Sequence, residues 1–185
     1  MSVLDSRPLE LDGLVELTPH RFADERGFFS EVWREDAFAA AGVHAHFVQD
    51  NLSLSKRKGV IRGLHYQSPP AAQAKLVRVS RGAIFDVAVD IRPGSATYGR
   101  WAGVILSAEK WNQLFIPEGF AHGFATLEDD TEVSYKVTAP YSPDHDRAIR
   151  FDDPDIGIDW PLDAEPLLSP KDAAAPLLRD SNTGF

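Results

Sequence analysis

Short runs of alternating apolar and polar residues follow one another along most of this chain, separated by turn signals at close intervals. The runs include Leu14-Val-Glu-Leu-Thr18, Phe28-Phe-Ser-Glu-Val-Trp33, Leu76-Val-Arg-Val-Ser80, Ile84-Phe-Asp-Val-Ala-Val-Asp-Ile91, Gly103-Val-Ile-Leu106, Gln113-Leu-Phe-Ile116 and Glu132-Val-Ser-Tyr-Lys-Val-Thr138. The breaks fall at Asp12-Gly13, Glu25-Arg-Gly27, Lys58-Gly59, Arg81-Gly82, Pro93-Gly94, Tyr98-Gly99, Glu118-Gly119 and Glu128-Asp-Asp130. Many short β-branched and aromatic runs between regular turns predict an all-β fold, an antiparallel sandwich or barrel. One early stretch, Glu35 to Ala41, reads as a helix stopped by Gly42. From Tyr141 onward the chain is rich in Pro and Asp. This part is expected to wrap the barrel with short helical turns, one of them near Lys171 to Ala175. No repeat, low-complexity tract or linker divides residues 1–185, which read as a single domain.

Strand alternation also predicts where polar residues point, because positions i and i+2 share a face. Tyr135 lies between Val133 and Val137, and Lys75 has the parity of Val77 and Val79. His65 has the parity of Gly63 and Ile61. Three polar groups therefore point toward an apolar interior. Burying them without a partner or a task is costly, so a pocket is the natural inference. Arg62 has the opposite parity from His65. Either it faces outward, or a bulge at Gly63 turns it back.

Composition narrows the classes. The chain has 185 residues, 43% apolar and 25% charged, with net charge −9. That is enough for one domain with a real core. Its acidity argues against broad binding to nucleic acid or anionic membranes. A local Arg/Lys cluster still leaves room for a small anionic ligand. The absence of cysteine rules out disulfides, thiolate catalysis and Cys-ligated metal sites. Met1 to Asp12 lacks the apolar core of a signal peptide, and no apolar run is long enough to span a bilayer. A cytoplasmic location is expected, and the sequon Asn51-Leu-Ser53 then carries no meaning.

The richest stretch is Gly59-Val-Ile-Arg-Gly-Leu-His-Tyr-Gln67, followed by Lys75. A neutral imidazole accepts a proton near pH 7, and a cation beside it stabilises the negative charge left behind. The stretch suggests a base, an electrostatic stabiliser and an anion anchor on one sheet face.

In these residues the chain resembles the dTDP-4-dehydrorhamnose 3,5-epimerase family. The matching segments are Asp24 to Glu31, Gln49-Asp-Asn51, Gly59 to Gln67, Lys75, Gly82 to Asp86, Ile116 to Phe124, Tyr135-Lys136, Tyr141 and Leu168 to Asp172, in order over nearly the whole chain. The resemblance implies a cupin-like jelly-roll barrel with short peripheral helices. It implies a homodimer that shares strands between subunits, and neither metal nor cofactor. It also implies the substrate dTDP-4-dehydro-6-deoxy-D-glucose, inverted at carbons 3 and 5. Both carbons flank the ketone at carbon 4, so both C–H bonds are acidified through an enolate.

The same resemblance implies roles. His65 is the base and Tyr135 the acid that reprotonates from the opposite face. Asp172 orients the histidine, with Asp86 as a second choice, and Lys75 stabilises the enolate. Arg26 and Arg62, with Lys171, take the diphosphate, since Arg binds two oxygens at once. Glu31, Gln49, Asp50 and Asn51 belong to the nucleoside site. Phe29 or Phe28, with Tyr141, stacks on the base or lines its slot. His122 and Asp146 match substrate-contacting positions, Asp146 with a shorter side chain than Glu.

Plainer readings compete at several positions. His20, His44, His46 and His145 read as loop or surface histidines. Tyr141 and Phe28 fit core or interface aromatics, Lys171 a solvated charge, Arg26 an exposed turn residue, and Asp172 a helix cap near Ser169-Pro170. Pro117-x-Gly119-x-x-His122 is a motif that metal cupins also carry. His65 is followed by Tyr66 and Gln67, however, so the paired His-x-His of such sites is missing. A metal oxygenase and a noncatalytic sugar-nucleotide binder therefore rank below the epimerase. A single-site epimerase from an antibiotic-sugar pathway is the nearest alternative.

Overall fold

A computed structural model describes residues 3–185. The expectation of no leader rests partly on Met1 and Ser2, which lie outside these residues. The strands are β1 (Leu4–Pro8), β2 (Val15–Pro19), β3 (Phe22–Asp24), β4 (Gly27–Phe29), β5 (Gln49–Ser55), β6 (Ile61–Gln67), β7 (Lys75–Arg81), β8 (Ala83–Asp90), β9 (Trp101–Ser107), β10 (Gln113–Ile116), β11 (Phe120–Thr126), β12 (Thr131–Val137) and β13 (Asp146–Ala148). Helix α1 (Glu35–Ala40) follows β4, and α2 (Pro170–Ala173) and a 3-10 turn (Leu178–Asp180) lie near the C-terminus. A six-stranded sheet runs β1-β2-β10-β7-β12-β5 and a five-stranded sheet β13-β6-β11-β8-β9, with β3-β4 as a separate hairpin. Every ladder is antiparallel.

The all-β reading holds, with one correction of shape. Among the described residues no ladder joins the two large sheets at their edges. The predicted barrel is thus an open sandwich, and the sheets are held together by side chains rather than by closure. Val77, Val79, Leu114, Ile116 and Val133 from the first sheet meet Ile84, Ala88, Leu106, Phe120 and Phe124 from the second in one buried core. These residues follow the period of two.

Two further apolar clusters coat the outer faces. Leu64, Tyr66, Val87, Val89 and Ala121 turn outward from the five-stranded sheet and are covered by Ile149, Ile156, Trp160, Leu178 and Phe185. The Pro/Asp-rich C-terminal third does wrap the fold, as expected. On the other side Leu4, Leu17, Leu76 and Phe115 are covered by Phe38 of α1, Val43, Trp33 and Phe47. This explains why the predicted strand Phe28 to Trp33 stops at Phe29. Beyond it, Trp33 packs against Phe38 and Phe47 at 4.6 and 4.7 Å between ring centroids, and the short β3 offers no further backbone to pair with. Gly42, at φ +92°, ends the α1 segment as predicted.

The decisive irregularity is in β6. His65 pairs with His122, but Arg62 pairs with Phe124, so β6 has one more residue than β11 between those two pairs. That is the bulge at Gly63. Its φ of +125° suits glycine, and a Cβ there would lie 2.5 Å from the Gly123 Cα and 2.7 Å from the His122 carbonyl oxygen. The extra residue reverses the parity and brings Arg62 and His65 to the same side. Gly63→Ala is therefore expected to lower the melting temperature and to part Arg62 from His65. Thermal melts on the purified variant check this; a wild-type melting temperature would contradict it.

Candidate active site

A cavity of about 260 Å³ opens between the sheets. Its walls come from β5 (Ser53), β6 (Arg62, His65, Tyr66, Gln67), β7 (Lys75), β11 (His122, Phe124), β12 (Tyr135), β13 (Asp146) and α2 (Lys171), with Gln73 and Tyr141 from loops. Most of the site residues expected from the sequence thus meet in one place.

His65 stands at the centre. Its Nε2 lies 2.5 Å from Asp172 Oδ1, and the Asp172 side chain is 3% exposed. Burial works to raise the Asp172 carboxyl, but hydrogen bonding and charge from His65, with help from Ser169 and the Gly63 backbone, outweigh it and hold the carboxyl below its usual range. An ionised carboxylate only accepts, so His65 Nε2 carries the proton and Nδ1 is left to take one. The local sequence explains the placement. Ser169 caps α2 by accepting the Asp172 N–H at 3.1 Å, with Pro170 at the first helical position. Ser169, not Asp172, is the cap, and the carboxylate is free to face His65.

Lys75 is buried, and its Nζ donates to the His65 carbonyl oxygen at 3.1 Å. Burial pulls its pKa down to about 8, against the opposing charges of Asp86 and Asp146; Lys171 pushes the same way as burial. The charged form therefore drains away as pH rises through about 8. Activity is expected to fall across that pH, where an ordinary lysine would stay charged to about pH 10. The pH profile of kcat/KM for the free enzyme reads this directly. A profile flat to pH 9.5 would contradict it.

Tyr135 lines the cavity half-buried, and burial raises its phenol above the ordinary value although Arg62 opposes the shift. It stays protonated at neutral pH, as a proton donor must.

Asp86 does not orient His65, which corrects the second choice. It is fully buried and lies 2.7 Å from Nε2 of His122. Burial lowers the His122 pKa despite Asp86, so the pair is a hydrogen bond to a neutral imidazole rather than an ion pair. The alternation carried this signal: Asp86 has the inward parity of Ile84 and Ala88, and His122 that of Phe120 and Phe124. Gln67, which shares the parity of His65, was likewise readable as inward-facing. Among the described residues no three His, Asp or Glu side chains gather as a metal-binding group.

At the rim, the Tyr141 hydroxyl donates to Asp146 Oδ2 at 3.1 Å, and Lys171 Nζ reaches the same oxygen at 2.5 Å. Arg62 donates to the Ser55 hydroxyl and the Leu54 carbonyl at 3.1 and 3.2 Å. Gln49 and Asn51 bond to each other at 2.8 Å on the inward side of β5, outside the cavity wall. Four more expected binding residues lie away from the cavity. Arg26 pairs with Asp24 in its exposed turn, Glu31 pairs with Arg34, Asp50 pairs with Lys136, and Phe29 is 67% exposed. Phe28 meets Trp111 edge to face, with ring centroids 4.9 Å apart. His20, His46 and His145 pair with Asp5, Glu35 and Ser142 outside the cavity wall.

The model of one family, dTDP-4-dehydrorhamnose 3,5-epimerase, matches residues 8–180. The chain belongs to the dTDP-4-dehydrorhamnose 3,5-epimerase family. A Sinorhizobium fredii enzyme of that name is 54% identical over 169 residues, which cover 91% of this chain and 87% of the relative. The structure is similar to that of the Legionella pneumophila dTDP-6-deoxy-D-glucose-3,5-epimerase in complex with dTDP-4-keto-L-rhamnose, with TM-score 0.93 and 48% identity, covering 97% of this chain and 95% of that one. It is also similar to a 3′-monoepimerase from Streptomyces bikiniensis in complex with dTDP-quinovose, with TM-score 0.87 and 38% identity, covering 93% and 87%. The two-sheet architecture is the cupin fold of this family.

Proposed function

We propose that this protein inverts carbons 3 and 5 of dTDP-4-dehydro-6-deoxy-D-glucose, giving dTDP-4-dehydro-L-rhamnose in dTDP-L-rhamnose biosynthesis. It is an isomerase that works by proton transfer beside a ketone. The observation that carries the reading is the meeting, in one cavity, of an Asp-held imidazole, a buried lysine and a half-buried phenol.

His65 Nδ1 removes the proton from the carbon next to the ketone. The electron pair moves onto the oxygen at carbon 4, where the Lys75 ammonium stabilises the enolate. Tyr135 then donates its phenolic proton to the opposite face of the same carbon, which completes the inversion. A single group serving both steps would tend to return the proton to the face it left. Neutral His122 and Asp146 hold the sugar from the side, and Tyr141, Arg62 and Lys171 meet it toward the rim.

The cavity is smaller than the ~300–1,000 Å³ that commonly encloses a drug-sized ligand. It suits the reacting sugar, and the nucleotide extends past the rim. Arg26, Phe29 and Glu31 serve that nucleotide across a dimer interface in this reading, with Gln49, Asp50 and Asn51 on β5. Exposed apolar side chains support the dimer: Leu52 and Leu54 on the edge strand β5 are 69% and 45% exposed, and Phe22 and Phe29 on the β3-β4 hairpin 53% and 67%. A long apolar edge left bare invites pairing with another chain. No described helix is long and apolar enough to cross a membrane, and a cytoplasmic site of action fits a nucleotide-sugar substrate.

The test is proton NMR of the keto sugar nucleotide incubated with the purified protein. New ring couplings for inverted carbons 3 and 5 are expected; an unchanged spectrum after long incubation would overturn the proposal. The similarity to a 3′-monoepimerase favours a second reading, inversion at one carbon only.

A further inference from the structure

We propose that Gln67 is a positioning residue for the substrate pocket: its amide holds the backbone on both sides of Tyr141 and so sets where the Tyr141 ring stands over the cavity. Gln67 ends β6 and is 4% exposed. Its Nε2 donates to the Ala71 carbonyl at 2.7 Å and to the Pro140 carbonyl at 3.2 Å. Its Oε1 accepts the Ser142 N–H at 2.7 Å. The carbonyl before Tyr141 and the amide after it are therefore held by one side chain. The Tyr141 N–H itself is held by Gln49 Oε1 at 3.0 Å.

The ring needs this support. Tyr141 is 58% exposed and belongs to none of the buried clusters. Its hydroxyl is tied to Asp146, which is the cross-strand partner of Gln67 in the β13-β6 ladder. Two facing residues thus grip Tyr141, one at the backbone and one at the hydroxyl.

Only a carboxamide suits the position. It uses two donors and one acceptor, and all three are engaged. A carboxylate keeps the Ser142 bond but turns acceptor oxygens toward two carbonyls.

The proposal rests on Tyr141 contacting the substrate, as read above, and the experiment separates the two claims. KM and kcat for the keto sugar nucleotide are measured for wild type, Gln67→Glu, Tyr141→Ala and the double variant. Gln67→Glu is expected to raise KM about tenfold with kcat within about threefold, since His65, Lys75 and Tyr135 do not rest on the loop. In the Tyr141→Ala background the same change is expected to add little further effect, the mark of action through Tyr141. An equal KM penalty in both backgrounds, or no penalty in either, overturns the proposal. An unchanged KM for Tyr141→Ala alone overturns the contact reading instead. The loop claim is also read on the wild-type protein, whatever the variants' folding. The Ser142 amide is expected to exchange with heavy water at least about a hundredfold more slowly than a free loop amide, and exchange at the free-loop rate overturns it.

Discussion

Replacing His65 by Ala is expected to remove hydrogen exchange at both carbon 3 and carbon 5 of the keto sugar nucleotide. The loss should be about 100- to 10,000-fold, the usual contribution of a positioned general base. The physical case is the pair with Asp172. The carboxylate is 3% exposed, ionised, and 2.5 Å from Nε2, so it fixes both the ring orientation and the tautomer that leaves Nδ1 able to accept. No other group in the cavity duplicates this. Lys75 is largely charged at neutral pH, and Tyr135 is held protonated. His122 is neutral, but its Nε2 is committed to Asp86 and it lies one strand away. The variant should still bind dTDP with nearly wild-type affinity, because the role proposed for His65 is at the sugar and not at the nucleotide. Heavy-water NMR gives the first quantity and titration calorimetry the second. Retained exchange would remove His65 from the base's role.

Tyr135→Phe should separate two rates that the wild type couples. Without the phenol the base can still remove a proton and return a deuteron to the same face. Inversion is then expected to fall by about 100-fold or more, while deuterium wash-in at the same carbon falls much less. The change costs little in stability by comparison, because the ring is retained and packs against the core beside Val133 and Val137. Equal loss of wash-in and inversion would count against two groups acting from opposite faces.

Alternation alone was enough to read Lys75 and Tyr135 as inward, because the β7-β12 register is unbroken from Val133 to Val137 and their neighbours Val77, Val79 and Val133 are buried. It left Arg62 open between an outward face and a bulge at Gly63, because a period of two cannot reveal where a strand gains a residue; the register shift decides for the bulge. The pairing of Asp172 with His65, 107 positions apart, came from resemblance. The pairing of Asp86 with His122 was missed because parity reports a face and not a partner. That the two sheets stay open was not legible either, because closure depends on ladders between sheet edges. In the proposed dimer, Arg26, Phe29 and Glu31 and the exposed Leu52 and Leu54 would all face a partner subunit, which the pattern of a single chain does not contain.

The most direct measurement is the wild-type protein with dTDP-4-dehydro-6-deoxy-D-glucose in heavy water, followed by NMR. The account predicts deuterium at both carbons flanking the ketone, accompanied by inversion at both. Deuterium at one carbon alone would reduce the enzyme to a single-site epimerase, and deuterium at neither would contradict the account outright.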